Sequence, residues 1–517
     1  MSKKYYITTP IFYPNEAPHI GHAYNAVVTD ALARFNRSEG RKVFFLSGTD
    51  EHGLKMQRTA ERKGLRPQTL ADYNSEIFKK MLHVLNISND HFIRTTEERH
   101  YKSCQAFWKL IEKAGDIYLS RYSGWYSVLQ EAYYSEEDTV IGLDALRYEK
   151  DFGSLVEWNE EESYFFRLSK YQDKLLAFYE NNKDFIRPNE RYNEIVSFVR
   201  SGLEDLSVSR TTFNWGIPVP GNSRHIIYVW LDALTNYLTA LGFPSNPLLG
   251  EYWPADLHII GKDILRFHAI YWPAFLMSAG LPLPKRIFAH GFLLNRGKKM
   301  SKSIGNVIDP FHLIDSFGID QLRYFFLREV PCGKDGRYTP DVIVHRINAD
   351  LSNNLGNLVQ RLLSMIQKNC KGTIQIPGAF LLEDESLLQK SFEILEVVRN
   401  AMENQAIHLA LTAIFSLVSD TNRYFTQEAP WLLYKIDEIR FSTVIYITAE
   451  MLRRLGIMLI PFIPYSANRI LDFLGIDSNH RMISHISEDF LEKDNICPVF
   501  EQIFPRCFLD KKEELLC

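Results

Sequence analysis

Cysteine is scarce in this chain of 517 residues: six in all, at 104, 332, 370, 497, 507 and 517, with no C-x-x-C pair. That excludes a disulfide scaffold and zinc-ribbon spacing, and it suits a reducing compartment. Long apolar runs are missing too. The best, Leu455 to Ile463, is broken by Gly456 and Pro461, so no segment is expected to span a bilayer. The first residues, Met1-Ser2-Lys3-Lys4, lead into a β-like segment without the apolar core and cleavage site of a signal peptide. Surplus positive charge is also absent: 59 Lys plus Arg face 63 Asp plus Glu, a net charge of −4. A basic coat for indiscriminate nucleic-acid binding is thereby excluded, and an RNA partner would need local basic patches. The expectation is a cytoplasmic protein with no membrane partner.

What is present is organised in blocks. The length predicts more than one domain. Residues 1–114 read as alternating strands and helices, the first half of a doubly wound parallel sheet of α/β type. Residues 115–224 are aromatic-rich and charge-punctuated, as an insertion would be, and alternation resumes over 225–292 with strands at His225–Trp230, Leu257–Ile260 and Arg286–His290. Residues 293–347 form a connecting region. From 348 to 517 apolar residues recur at helical spacing. Leu351, Leu355, Leu358 and Leu362 form one stripe; Leu409, Leu411, Ile414, Leu417 and Val418 form another, which predicts an all-α bundle.

Two short motifs stand far apart in this frame: His19-Ile20-Gly21-His22 and Lys299-Met300-Ser301-Lys302-Ser303. The first follows the extended run Tyr5–Tyr13, opens a helix-like stretch Ala23–Phe35, and precedes a strand at Lys42–Leu46. Strand, turn, helix, strand places a ligand at the helix N-terminus, where two imidazoles beside free backbone N–H groups can grip a triphosphate. Two lysines on a loop flanked by Gly297 and Gly305 can close on the same phosphates from the other side.

With these motifs the chain resembles the class I aminoacyl-tRNA synthetases. The resemblance narrows to the methionyl-tRNA synthetases through Thr8–Asn15, Gly48–Gly53, Tyr228–Leu234, Gly261–Ile264 and Phe267-His268. It implies that methionine's carboxylate attacks the α-phosphate of ATP, and that the methionyl group then passes to the 3′-terminal adenosine of tRNA(Met), initiator included. The nucleophile is already ionised at pH 7, so cations and imidazoles suffice without a general base.

By resemblance His19 and His22 hold the phosphates, Gly21 lets nucleotide approach the backbone, and Lys302, with Lys299, holds the leaving pyrophosphate. Gly261, Asp263 and Leu293 complete the ATP site. Asp50 takes the ammonium of methionine. Ile11, Tyr13, Trp230, Ala233, Tyr237, Ile264, His268 and Trp272 wall its side chain, and Arg210 lies near the active site. Asn357, Arg361, Pro430 and Trp431 read the anticodon.

ATP with Mg²⁺ is the expected cofactor and a monomer the expected state. Many family members carry a zinc knuckle in the insertion, but Gly124–Glu162 contains neither Cys nor His, so no structural zinc is expected. Trp125, Tyr126, Tyr133, Tyr134, Trp158 and Phe165 are the candidates for a compensating core. The extra C-terminal barrel of some members is expected to be absent. The rival readings are a ligase for another amino acid, a small-molecule nucleotidyltransferase, which would not need the bundle, and a non-enzymatic tRNA-binding paralogue, which would have lost the phosphate residues.

Overall fold

Six parallel strands form the central sheet: β1 (Lys4–Thr8), β2 (Lys42–Thr49), β3 (His91–Arg94), β4 (Ile186–Arg187), β5 (Leu257–Gly261) and β6 (Ile287–His290). Their order is β3-β2-β1-β5-β6-β4, with Ile7 of β1 opposite both Phe45 and Leu257. This is a computed structural model, and it describes residues 3–130, 132–151, 153–295, 298–299, 307–488 and 495–508. The strands are apolar on both faces because both faces are covered. Ile7, Phe45, Ile259 and Phe288 face one core with helix α1 (Ile20–Ser38). Their neighbours Tyr6, Leu46, Ile260 and Ile287 face a second, with α2 (Glu98–Lys113), α3 (Val229–Thr239) and α4 (Trp272–Ala279). Strand order reverses between β1 and β5, so their carboxyl ends open a crevice at Thr8 and Gly261.

Two segments depart from the sequence reading. The run His225–Trp230 is extended only to Ile227, in a strand Asn222–Ile227 that pairs with Ser209–Arg210 and Pro218–Val219 outside the main sheet. The Tyr228 carbonyl accepts from the amides of Leu231 and Asp232, which starts α3 instead of continuing the strand. And β4, within the 115–224 stretch, is the edge strand of the main sheet, so this stretch shares its core.

The insertion is built on a long antiparallel pair, Ile117–Ser127 with Glu157–Phe166, extended by Ala132–Tyr134. Tyr126 and Phe165 are buried, while Trp158 is 55% exposed and packs edge-on to Trp125 at 5.2 Å. Polar contacts do the rest. The buried Glu149 carboxylate accepts from the amides of Asp151 and Ser154 and the Ser154 hydroxyl. Arg147 lies over the Trp125 ring at 4.4 Å.

The helical part comprises α5 (Ile319–Glu329), α6 (Asn357–Asn369), α7 (Leu382–Glu403), α8 (Ile407–Glu428), α9 (Pro430–Ile436), α10 (Glu438–Leu459) and α11 (Pro464–Phe473). The stripe Leu351, Leu355, Leu358, Leu362 is fully buried. In α8 the buried face runs through Leu411, Ile414, Leu417 and Val418, but Leu409 is 52% exposed. One apolar core continues from Ile7 of β1 to Phe504, so sheet and bundle are not separate packings. Arg323 of α5 is buried at the junction. It donates to Asp30 of α1 at 2.7 Å and to the carbonyls of Leu85, Phe462 and Pro461.

Candidate active site and candidate nucleic-acid interface

The crevice between β1 and β5 widens into a cavity of about 350 Å³. At one end is the N-terminus of α1. His19 is its N-cap: the Nδ1 atom accepts from the Gly21 amide at 3.0 Å, and the His19 amide donates to Nδ1 of His22 at 3.0 Å. With both Nδ1 atoms accepting, each neutral ring carries its proton on Nε2. The rings stack with centroids 3.8 Å apart, and Phe12 and Phe78 pack edge-on against His22. The motif therefore caps a helix and presents two N–H donors beside its positive end. Gly21 is required for this, since a Cβ there would lie 2.9 Å from His19 Cε1.

Asp50 follows β2 and lines the same cavity with its carboxylate mostly buried. Its neighbours anchor it. The Glu51 side chain is wholly buried and accepts from Thr49, Ser75 and Thr96 and twice from Arg94. His52 turns the other way, onto Asp232 of α3 at 2.7 Å, and its carbonyl accepts from the Tyr13 hydroxyl.

The opposite wall comes from α3 and the segment after β5. Trp230 stacks on Phe267 at 3.6 Å, and Ala233, Tyr237, Ile264 and His268 line the cavity beside it. The Tyr237 hydroxyl meets His268 Nε2 at 2.8 Å, while Nδ1–H donates to the Ile264 carbonyl at 3.0 Å. Burial pushes the pKa of His268 down to about 4, so the ring is neutral at pH 7 and this wall is polar without charge. Ile11 and Tyr13 close the wall from β1's side.

Trp272 does not line the cavity. It is fully buried behind Tyr237, 6.1 Å between rings, and packs on Phe107 and Trp253. The chain runs from a 3₁₀ turn at Lys262–Ile264 through a π-helical turn at Phe267–Tyr271 into α4, and this change of pitch turns Trp272 off the face that bears Ile264 and His268. Arg210 is buried beside the wall. It donates to Ser207 and Ser209, among the rings of Tyr228 at 4.6 Å, Tyr133 at 4.9 Å and Tyr126 at 5.5 Å.

Gly261, Asp263 and Leu293 line the end toward α1. Two residues here were not foreseen. Asn25 donates to His290 Nε2 at 2.8 Å, and its buried Oδ1 has no hydrogen-bond partner among the described residues although the residue lines the cavity. His290 donates from Nδ1 to the Gly291 carbonyl at 2.7 Å. Asn25 lies three residues after His22, one turn along α1, and that spacing was the available signal. Lys302 lies outside the described residues. Of Lys299 only the backbone is described, in a two-residue strand paired with Leu294–Asn295.

In the bundle, Asn357 and Arg361 share a face of α6, and Pro430 opens α9. The Arg361 guanidinium sits over Phe425 at 5.0 Å and Trp431 at 5.4 Å, and donates to Thr426 at 3.2 Å. Trp431 is 42% exposed and Asn357 is exposed. Arg361 and Trp431 thus stand side by side, a cation on an aromatic ring, with Asn357 exposed one turn before Arg361 on α6, whereas Pro430 is buried.

Comparison with known proteins gives consistent results. The family model described as tRNA synthetases class I (M) matches residues 5–144 and 149–363, and the anticodon binding domain of methionyl tRNA ligase matches residues 377–506. A methionine–tRNA ligase of Mesorhizobium japonicum is 60% identical over 506 residues, 98% of each chain. That of Mycobacterium bovis is 52% identical over 510 residues, again 98% of each. The structure of Mycobacterium tuberculosis methionyl-tRNA synthetase in complex with methionyl-adenylate aligns with a TM-score of 0.96 at 52% identity, covering 98% of this chain and all of that one. The free-state structure of the M. tuberculosis enzyme aligns with a TM-score of 0.90 at 48% identity, covering 99% of each.

Proposed function

The chain belongs to the methionyl branch of the class I tRNA synthetases, and from that membership we propose how its cavity works. The protein is an ATP-dependent methionine–tRNA ligase. The carboxylate oxygen of methionine attacks the α-phosphorus of ATP, the bond to the β-phosphate oxygen breaks, and pyrophosphate leaves. A hydroxyl of the terminal ribose of tRNA then attacks the methionyl carbonyl and AMP departs.

The observation that carries the residue assignment is the polarity of the cavity between β1 and β5. One end offers two Nε2–H donors at a helix N-terminus; the other offers a carboxylate and a neutral polar wall. His19 and His22 donate to the phosphates of MgATP, and the α1 terminus adds its partial charge. Asn25 Oδ1 and Asp263 accept from the ribose hydroxyls, beside Gly261 and Leu293. Asp50 pairs with the α-ammonium. Trp230, Ala233, Ile11, Tyr13, Ile264, Tyr237 and His268 enclose the side chain, with the Tyr237–His268 pair facing the sulfur and aromatic edges contributing up to about 1.5 kcal/mol per sulfur contact. Trp272 supports Tyr237 from behind. Lys302 and Lys299 hold the pyrophosphate. In the bundle, Trp431 stacks on an anticodon base while Asn357 and Arg361 reach base edges, with Pro430 setting the start of α9.

The enzyme is a cytoplasmic monomer that charges tRNA(Met), initiator included, with residues 1–114 and 225–292 as catalytic halves, 115–224 inserted, 293–347 contacting the tRNA stem and 348–517 reading the anticodon. The insertion lacks the donors for a structural zinc, and Glu149 and the tyrosines around Arg210 take its organising role. Among the described residues no helix is long and apolar enough to cross a membrane. The test is pyrophosphate exchange into ATP with each of the twenty amino acids. Methionine alone should support it, without tRNA and only with Mg²⁺; equal exchange with leucine or isoleucine would overturn the substrate assignment.

A further inference from the structure

Behind the cavity lies a closed polar cluster that touches none of its contents. Asp232, 1% exposed, takes His52 Nδ1 on one carboxylate oxygen and His100 Nε2 on the other, both at 2.7 Å. On its far side His100 Nδ1 lies 3.0 Å from the Thr239 hydroxyl, so both ring nitrogens are held. His52 Nε2 is 3.1 Å from the Tyr101 hydroxyl.

His100, Cys104 and Asp232 also stand within 4.8 Å of one another, as metal ligands can. The 2.7 Å contacts are too short for that, because two ligands of one tetrahedral ion stand roughly 3.3 Å apart. Burial also pushes the Cys104 thiol well up, so it stays protonated.

The three partners sit on three different elements: His52 two residues from Asp50, Asp232 between Trp230 and Ala233 on α3, and His100 on α2. We infer that Asp232 is a positioning residue that, through His52 and His100, holds the ammonium-binding turn and the side-chain wall at the separation that fits methionine. This rests on the proposed placement of methionine between Asp50 and α3. The carboxylate is bonded to the turn through His52 and is itself carried by α3, so it ties the two sides together without touching substrate.

The experiment measures exchange kinetics on the whole enzyme, varying methionine and ATP separately. Asp232→Asn should raise KM for methionine ten- to hundred-fold, as loss of a charged hydrogen bond and a misplacement of about 1 Å do, with KM for ATP unchanged and kcat within a few-fold. His52→Ala should do the same, and His52→Asn, whose amide can replace the Nδ1–H donor, should restore the methionine KM. Adding Asp232→Asn to Asp50→Ala should not raise that KM further, because the two act on one contact. Three results would overturn the inference: a uniform fall in kcat with both KM values unchanged, no rescue by His52→Asn, or a metal ion present in wild type and lost in Asp232→Asn. If wild type itself fails to exchange with methionine, the underlying substrate reading fails instead.

Discussion

Replacing Trp431 by Ala separates the two half-reactions. A little over half of this side chain is covered, mainly by Phe425 and Arg361. At roughly 25 cal/mol per Å² over about 120 Å², truncation costs about 3 kcal/mol of folding stability. For a chain of 517 residues the unfolding entropy is about 1 kcal/mol per degree, so the melting midpoint should fall by about 3 °C and the enzyme should stay folded at 25 °C. The lost base stack is worth about 1–3 kcal/mol, a fall of roughly five- to 160-fold in kcat/KM for tRNA. No residue of α9 lines the catalytic cavity, so methionine-dependent pyrophosphate exchange should be unchanged. Aminoacylation and exchange are measured side by side at 25 °C, with a melting curve for each protein. If exchange falls in step with aminoacylation, Trp431 serves the fold and the anticodon reading is wrong.

Lys302→Ala should slow adenylate formation by roughly 10²- to 10³-fold with little change in methionine binding, read by single-turnover kinetics; an unchanged rate would remove this lysine from the mechanism. His268 ties stability to pH. Its folded pKa of about 4 lies below the ordinary 6.5, so the unfolded chain binds the extra proton first. Stability is therefore lost as pH falls from 6.5 toward 4, by up to about 3 kcal/mol from this group. His268→Gln should lose less than wild type in urea unfolding between pH 7 and pH 4.5. The purified enzyme should contain no stoichiometric zinc by elemental analysis and should not unfold in chelator; about one zinc per chain would refute the knuckle argument.

The parts legible in the sequence were those carried by local pattern. Near-continuous apolar strands such as Val43–Leu46 and Leu257–Ile260 announced a sheet covered on both faces, and the leucine stripe from Leu351 to Leu362 announced a buried helix face. Trp272, expected in the wall by resemblance, lies in the core instead, where the chain passes from 3₁₀ to π to α; local pattern alone erred elsewhere. It misjudged Leu409, at the edge of a stripe whose true centre is set by packing against α7 and α10. It ran a strand on to Trp230, where the Tyr228 carbonyl begins a helix. Asn25 with His290 and His52 with Asp232 were out of reach for another reason. Their partners lie 265 and 180 residues apart, and only the closed sheet brings them together.

The Arg323 junction bears on how this molecule could be taken apart. Its guanidinium is wholly buried, and two of its four acceptors, the carbonyls of Pro461 and Phe462, lie in the turn between α10 and α11. A catalytic fragment cut ahead of α6 would leave this cation short of partners and lay bare the apolar side chains it shares with α8 and α10. Asp30, its counter-ion, sits on the same helix that begins with His19 and His22. Dissection would thus reach the proposed phosphate grip from its far end. The enzyme is modular as a string of letters and indivisible as a solid, and minimal versions of it should be sought by shortening surface loops, with the helices left in place.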